Sequence, residues 1–193
     1  MSRATLIVIA LILAFAAGTA SAGYALTNWL KLAGQHSGPW QRLSMLGTAN
    51  ADPYSRAFEH LSRQLPMGGA EGQIYAALKD DNNQPLDFKC DYRVEGDIPA
   101  VRLFTLHAET LGGQWIEAKA PLPSAVHSDQ MLFYSGTFAI NVGVAVQPEN
   151  WLALGASGPF ALVLTYYDVA VINDDTGNAT SLPRIKKGSC FNG

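Results

Sequence analysis

The side chains best suited to recognise a ligand stand close together at Asp52, Tyr54 and Arg56. They coincide with the predicted start of a helix, where free backbone amides beside a guanidinium group would suit an anion or a carboxylate. A structural role explains the same residues, because Asp52 can cap the helix, Tyr54 can pack, and Arg56 can pair with a nearby acid or carbonyl. The sequence favours this structural role, and a binding site at positions 52–56 is the alternative.

Tyr92 and Asp97 are the other candidate ligand-binding residues, and His107 is the histidine best placed to lie near a core. A concave pocket that gathered these side chains with those of residues 52–56, and perturbed their pKa values, would favour an enzyme. Without a paired acid, His107 is better explained as a buried, hydrogen-bonded imidazole than as a general base. A flat aromatic face would instead favour sugar binding, and a large exposed apolar patch would favour a structural subunit.

No established catalytic or metal-binding motif stands out in the chain. The serines lack the Gly-x-Ser-x-Gly turn of a hydrolase nucleophile, and the four histidines are spread singly. The acidic run Asp80-Asp81-Asn82-Asn83, with Asp87, offers oxygen ligands for calcium but lacks the spacing of a calcium loop, so a solvated turn is favoured. We therefore predict no metal and no cofactor, and assign no catalytic residue.

The two cysteines, Cys90 and Cys190, stand about 100 residues apart. That spacing is unsuited to a compact zinc site and compatible with one long-range disulfide in an oxidising compartment. Such a disulfide would fix the C-terminal tail to a central strand and, in the chain-entropy model, would contribute about 4 kcal/mol. Two free buried thiols are the alternative. A catalytic cysteine is disfavoured, because one residue falls in a strand-like stretch and the other in a Gly-Ser tail.

A charge-free segment runs from Ala4 to Leu30 and follows a single basic residue, Arg3. Its apolar centre and the small residues at 20–22 have the layout of a secretory signal, so we predict that the rest of the chain is exported. Cleavage after Ala22 would leave a soluble exported protein. We favour a retained membrane anchor, because the apolar stretch continues to Leu26 and can span a bilayer with Arg3 on the cytoplasmic side.

The predicted exported part is mildly acidic. The whole chain has 13 basic and 16 acidic side chains and a net charge of −3, and removal of the first 22 residues takes away only Arg3. Scattered, weakly negative charge argues against nucleic acid or an anionic lipid surface as a partner. We assign residues 1–30 to the anchor or signal segment and residues 31–193 to one exported domain, which is long enough for a single core.

Hydrophobic periodicity predicts one amphipathic helix followed by several strands. The helix follows a polar loop at 34–39 and runs from Asp52 to about Leu65, since its apolar residues recur at helical spacing and prolines mark both ends. Alternation then predicts strands at Gln73–Lys79, Leu86–Val94, Val101–Thr110, Thr137–Val146 and Phe160–Ile172, the first two paired as a hairpin. The pattern favours a mainly β, jelly-roll-like sandwich over alternating βαβ units.

Several strings in the chain resemble the family of domains of unknown function numbered 1214 (DUF1214). The most informative are Gly38-Pro39-Trp40, Gly47-Thr48-Ala49-Asn50-Ala51-Asp52-Pro53-Tyr54-Ser55-Arg56-Ala57, Cys90-Asp91-Tyr92-Arg93-Val94, Asn150-Trp151-Leu152 and Leu182-Pro183-Arg184-Ile185. The resemblance covers nearly the whole predicted exported region. It implies a jelly-roll-like β-sandwich in a short, membrane-anchored envelope protein of a Gram-negative bacterium, without an established activity.

These features together predict a membrane-anchored periplasmic protein that binds or organises an envelope glycan or a protein partner and is not catalytic. The alternative is a periplasmic hydrolase that acts on an envelope substrate in a groove of the sandwich. Nucleic acid is not an expected partner. Aromatic side chains such as Trp40, Trp115 and Trp151 could stack on sugar rings, although core packing explains most of them.

Overall fold

The computed structural model describes residues 2–27, 35–42, 53, 56, 71–155, 158–168 and 182–191. Helix α1 spans Arg3–Thr27. The strands in the described residues are β1 (Gln35–Ser37), β2 (Trp40–Arg42), β3 (Gly72–Ala77), β4 (Cys90–Asp97), β5 (Leu103–Thr110), β6 (Ala125–His127), β7 (Thr137–Gly143), β8 (Asn150–Ala153), β9 (Phe160–Tyr167) and β10 (Arg184–Cys190). The predicted amphipathic helix lies largely outside the described residues, and its described members Pro53 and Arg56 are helical.

Helix α1 is apolar on every side. Ser2 caps its first turn, since the Ser2 hydroxyl accepts a hydrogen bond from the Thr5 backbone amide at 3.2 Å. Residues Arg3–Ala25 have a mean hydropathy of 2.2, and none of the most apolar stretch is buried against the rest of the chain. A helix that is hydrophobic all round requires apolar surroundings on every side. Helix α1 is therefore long and apolar enough to span a membrane or to serve as a signal sequence.

The strands form two sheets. The six-stranded sheet has the order β1-β2-β3-β9-β5-β6, and all its neighbours are antiparallel. The four-stranded sheet has the order β10-β4-β7-β8, in which only β7 and β8 run parallel among the described strands. The predicted mainly β, sandwich-like fold is confirmed.

The core lies between the two sheets, and alternate residues of the long strands face it. Tyr92 and Val94 of β4 are buried, whereas the residues next to them are half-buried. Phe104 of β5 lies against Phe138 of β7 with ring centroids 4.9 Å apart, and Tyr92 meets Phe160 of β9 edge-on at 5.9 Å. These aromatic pairs join one sheet to the other.

Strand β9 is buried on both faces. Residues 160–166 are all buried, which explains why this strand is a continuous apolar run rather than an alternating one. The strand ends at Tyr167, and Asp168 then adopts the left-handed conformation with φ 48°. The predicted continuation over residues 169–172 lies outside the described part of the chain.

The prediction that residues 73–79 and 86–94 pair as a hairpin is wrong. The turn between them does form, and there the Leu86 amide donates a hydrogen bond to the Leu78 carbonyl at 3.0 Å. The chain then crosses to the other sheet, so that β3 pairs with β2 and β9 while β4 pairs with β10 and β7. Alternation locates strands, but it does not specify their partners.

A disulfide joins Cys90 of β4 to Cys190 of β10. The two residues lie opposite each other in the pairing of these strands. The disulfide predicted from the sequence is thus present, and it holds an edge strand against a strand that is paired on both sides. Residues 184–190, which the sequence predicted as a tail, form a strand of the four-stranded sheet.

Candidate functional site

The structure does not bring the predicted ligand-binding residues together in the described part of the chain. Asp52 and Tyr54 lie outside the described residues, and Arg56 is helical and exposed. Tyr92 and Asp97 both belong to β4, but they are five positions apart and face opposite sides of it. Tyr92 points into the core, whereas Asp97 is exposed.

The Tyr92 side chain is part of the core and is 2% exposed. Its hydroxyl accepts a hydrogen bond from the Asp87 backbone amide at 2.8 Å and donates one to the Asp87 carbonyl at 3.3 Å. Burial raises the pKa of the Tyr92 hydroxyl, and the backbone contact with Asp87 only partly opposes that shift. These contacts suit a structural role, and a ligand-binding role for Tyr92 stays a prediction.

A cleft of about 990 Å³ opens at one end of the sandwich. It lies between the turn that joins β1 to β2, the turn that follows β3, and the segment that leads into β10. The Asp81 backbone amide donates a hydrogen bond to the Ile185 carbonyl at 3.0 Å, which ties the second of these turns to β10. The described lining residues are 37–41, Ala76, 78–81, Asn83 and 182–184. We call this space the larger cleft.

Asp80 is a deeply buried acidic side chain in the larger cleft, with 2% of its surface exposed. Its Oδ1 accepts hydrogen bonds from the backbone amides of Asn82 at 2.9 Å and Gln84 at 2.8 Å, which stabilise the turn. Its Oδ2 is buried and has no hydrogen-bond partner among the described residues. Because buried polar atoms are nearly always hydrogen-bonded, this oxygen keeps a free capacity to accept a bond.

Gln41 adds a hydrogen-bond donor to the residues that line the same cleft. It lies on β2 opposite Ala76 of β3, and it is 4% exposed. Its Nε2 is buried and also lacks a hydrogen-bond partner within the described residues. An amide nitrogen donates hydrogen bonds, whereas a carboxylate oxygen accepts them. The larger cleft therefore contains one unpaired buried donor and one unpaired buried acceptor.

Trp40 fixes the position of the cleft wall. The side chain is fully buried, and its Nε1 donates a hydrogen bond to the Pro183 carbonyl oxygen at 2.6 Å. Pro39 and Leu182, which are half-buried, add apolar surface beside it. This part of the wall is thus apolar and is held by a buried hydrogen bond.

The charges that line the larger cleft balance. Lys79, Asp81 and Arg184 are exposed at its rim, and the Lys79 ammonium donates a hydrogen bond to Asn83 Oδ1 at 2.8 Å. With Asp80, the described lining carries two basic and two acidic side chains. Such a lining suits a neutral or zwitterionic polar ligand better than a polyanion.

A second cleft, of about 700 Å³, lies on the outer face of β4 and β7. Asp97 and Tyr134 are exposed in its lining. Leu182 and Arg184 line both clefts, so the segment that leads into β10 separates them. A ligand long enough to pass over this segment could contact both clefts.

Three of the charged side chains that line the second cleft, Arg93, Glu95 and Glu149, form ion pairs. The Glu95 carboxylate lies 2.5 Å from Lys186 Nζ and 3.1 Å from Arg93 Nε. The hydrogen bond from Lys186 lowers the pKa of Glu95, and Arg93 adds to that shift. Arg93 also donates to Asn141 Oδ1 at 3.2 Å. These three charges are thus partly exposed and already paired, in contrast to the unpaired buried atoms in the lining of the larger cleft.

His107 has an acidic partner that the sequence analysis missed. Its Nε2 lies 2.8 Å from Glu109 Oε1, and the two side chains are only 13% and 7% exposed. Trp115 stacks on the imidazole with ring centroids 4.6 Å apart. Residues two positions apart share one face of a strand, so their spacing on β5 could have indicated this pair. Neither His107 nor Glu109 lines either cleft.

The calcium alternative for the acidic turn finds no support in the side-chain contacts. Asp80 Oδ1 and Asp87 Oδ1 both accept hydrogen bonds from backbone amides, as turn-forming aspartates do. Within the described residues, no three His, Cys, Asp or Glu side chains gather in a group that could hold a metal ion.

No sequence pattern indicates a role for Gln41, and the pattern around Asp80 predicts only a turn. Gln41 lies on β2, whose partner β3 follows it at a distance in the chain. Asp80 is buried because its turn lies against β10, which comes from the end of the chain. Periodicity within one segment carries no information about such long-range contacts.

A protein-family model described as a protein of unknown function (DUF1214) matches residues 71–170. That range includes β3 to β9 and the Asp80 turn. No curated protein matches the chain.

Two crystal structures match the chain. The VPA0106 protein from Vibrio parahaemolyticus matches 76% of this chain with a TM-score of 0.57 and 18% identity, and the match covers 39% of that protein. An uncharacterised protein from Burkholderia cenocepacia matches 74% of this chain with a TM-score of 0.45 and 16% identity, and the match covers 45% of it. The chain thus spans about two fifths of the length of the first protein, and that likeness concerns the fold alone.

Proposed function

The chain belongs to the DUF1214 family of proteins of unknown function, and on that premise we propose that it is a membrane-anchored periplasmic protein of the cell envelope whose β-sandwich is a noncatalytic binding module. The module holds an envelope component, a glycan or a protein partner, in the larger cleft. One observation carries this proposal: Gln41 and Asp80 line the same cleft, and their Nε2 and Oδ2 atoms are buried without hydrogen-bond partners among the described residues.

Two features support a membrane anchor and a periplasmic location. Helix α1 is apolar on every side, so an anchor that spans the inner membrane satisfies its whole surface. The Cys90–Cys190 disulfide is of a kind that persists in oxidising compartments, of which the periplasm is one. Arg3 would hold the amino-terminal end of the helix in the cytoplasm and leave the β-sandwich on the far side.

Fractionation of a Gram-negative host that expresses the full chain tests the tether. Intact mass is measured with and without reductant, after thiol alkylation. We expect a membrane-bound product that keeps the first 22 residues and is alkylated only after reduction. A soluble product that begins at Gly23 would replace the anchor by a cleaved signal. Alkylation of both thiols without reduction would show that Cys90 and Cys190 do not form a disulfide.

Site-specific photo-crosslinking tests whether the larger cleft is occupied in cells. A benzophenone amino acid replaces Asp81, which is exposed at the cleft rim, and in a matched control replaces Asp129, which is exposed and lines neither cleft. We expect a light-dependent mass increase for the substitution at 81 and none at 129. Protease digestion or acid hydrolysis of the adduct then separates a protein partner from a glycan. No adduct at 81, or equal adducts at both positions, would contradict the proposal.

A periplasmic hydrolase is the second candidate function. The His107–Glu109 hydrogen bond favours it, because a carboxylate commonly orients the imidazole of a general base. Trp115 covers the imidazole, however, and the pair lies outside both clefts, so binding without catalysis has the better support. Loss of an envelope-hydrolysing activity in His107→Gln, with unchanged crosslinking at position 81, would favour the hydrolase.

A further inference from the structure

We infer that the larger cleft recognises a neutral, hydroxyl-rich saccharide through Gln41 and Asp80. This inference rests on the proposed function, because it names the ligand class of the same cleft. It starts from two polar side chains that are 4% and 2% exposed and whose Nε2 and Oδ2 atoms lack hydrogen-bond partners in the described part of the chain.

The chemistry of the two atoms selects the ligand. Gln41 Nε2 needs an acceptor, and Asp80 Oδ2 needs a donor. A phosphate dianion offers only acceptors and would be repelled by the Asp80 carboxylate, whereas an ammonium group offers only donors and would leave Gln41 unpaired. A hydroxyl group donates and accepts, so neighbouring hydroxyls of one sugar can satisfy both residues.

The rest of the lining agrees with a sugar. The two basic and two acidic side chains balance, which suits a ligand without net charge. Pro39 and Leu182 offer apolar surface in the same described lining, and the C–H faces of a sugar ring can pack there. The hydroxyl groups of a sugar thus match the polar side chains of the cleft, and its C–H faces match the apolar side chains.

A polypeptide ligand fits the cleft less well. Extended peptides commonly bind by adding a strand to the edge of a sheet. The edge strands at the larger cleft are β1, with three residues, Gln35–Ser37, and β10, of which Arg184 lines the cleft, so each offers a short ladder for strand addition there. Side-chain hydrogen bonds to hydroxyl groups need no such edge.

Titration calorimetry on the full chain tests the inference. The protein is purified in dodecyldimethylamine oxide, because detergents with sugar headgroups would compete for the cleft. The probes are maltotetraose, cellotetraose, mannotetraose and tetra-N-acetylchitotetraose, with tetraethylene glycol as a control that has ether oxygens and only terminal hydroxyls. We expect at least one tetrasaccharide to bind and the glycol not to bind. Failure of all four tetrasaccharides would overturn the inference.

Two near-isosteric substitutions assign the binding to these atoms. Asp80→Asn keeps an Oδ1 acceptor for the turn but replaces the Oδ2 acceptor with a donor, and Gln41→Met removes the donor. Each should weaken tetrasaccharide binding about tenfold or more, because a ligand hydroxyl loses its buried partner. Asp87→Asn is the matched control, since Asp87 also bonds a backbone amide through its side chain but lies outside the larger cleft. It should leave the affinity unchanged.

Thermal unfolding without saccharide separates recognition from a structural role. Gln41→Met removes an unpaired buried amide and keeps a similar shape, so its melting temperature should equal or exceed that of the wild type. A fall in melting temperature together with affinity would make Gln41 structural and overturn the inference. If a protease-sensitive adduct forms at position 81 while no saccharide binds, the inference fails and the proposed binding function stands. If no adduct forms at position 81, the proposed binding function itself is contradicted.

Discussion

The indole nitrogen of Trp40 donates a hydrogen bond to the carbonyl oxygen of Pro183 at 2.6 Å, across 143 residues of chain. Trp40 belongs to the six-stranded sheet, and Pro183 leads into β10 of the four-stranded sheet. The bond therefore joins the two sheets at the wall of the larger cleft. Both residues are buried, so a loss of the bond leaves the Pro183 carbonyl without a replacement partner from the solvent.

Trp40→Phe should lower both stability and saccharide affinity. It keeps an aromatic ring but removes the N–H group, and we expect the free energy of unfolding to fall by about 1–3 kcal/mol. Urea denaturation of the full chain in detergent measures that fall, and calorimetry measures the affinity. Trp151→Phe is the matched control, because Trp151 Nε1 donates to the Gly143 carbonyl at 3.2 Å outside the larger cleft. An equal loss of affinity in both variants would contradict the wall's role in binding.

Removal of the Cys90–Cys190 disulfide should destabilise the domain. The bond closes a loop of about 100 residues, and its loss typically costs about 2–4 kcal/mol because the unfolded chain regains conformational freedom. We expect the Cys90→Ser/Cys190→Ser double variant and the reduced wild-type chain to unfold at the same, lower urea concentration. An unchanged midpoint would mean that the β4–β10 pairing alone holds this edge strand.

Tyr92→Phe distinguishes a structural role from the ligand-binding role that the sequence predicted. The substitution removes the hydroxyl that pairs with the Asp87 backbone amide and carbonyl. We expect a loss of about 1–2 kcal/mol in the free energy of unfolding and no change in saccharide affinity. A selective loss of affinity with normal stability would instead return Tyr92 to the set of ligand-binding residues.

The pairing of Glu95 with Lys186 should make stability depend on pH in the acid range. Because the pKa of folded Glu95 lies below its unfolded value of about 4.3, the pair stabilises the protein above that pH, and its contribution is lost as the pH falls through the folded pKa. Both side chains are partly exposed, so we expect at most about 1 kcal/mol. The stability difference between wild type and Glu95→Gln should therefore shrink as the pH is lowered from neutral to about 3. A difference that grows on acidification would contradict this sign.

The sequence was sufficient for the parts of the fold that local patterns encode. The alternation at 101–110 and the apolar run from Phe160 located β5 and β9, and the isolated cysteines predicted the disulfide. The strands that it missed, such as β2 and β10, are short or charged and become strands only because a longer neighbour pairs with them.

The candidate site could not be predicted from the sequence for the same reason. Gln41 lies on β2 and Asp80 lies in the turn after β3, and they reach one cleft only through the pairing of β2 with β3 and the contact of the Asp80 turn with β10. Their significance also depends on burial without a partner, which is a property of the folded chain. The sequence around Gln41 does not show whether this side chain is buried or whether it has a hydrogen-bond partner.

The two clefts share Leu182 and Arg184, which predicts that saccharide affinity depends on chain length. A disaccharide can contact only the larger cleft, whereas a hexasaccharide of the same series can continue over the shared segment toward Asp97. We expect the hexasaccharide to bind more tightly, and Asp97→Ala to weaken only the longer ligand, by about 2- to 10-fold for one hydrogen bond. Calorimetry with both lengths checks this, with Asp129→Ala as the exposed control outside both clefts. Equal affinities at both lengths, or an equal effect of Asp97→Ala on both, would confine the ligand to the larger cleft, because the second cleft would then make no contact with it.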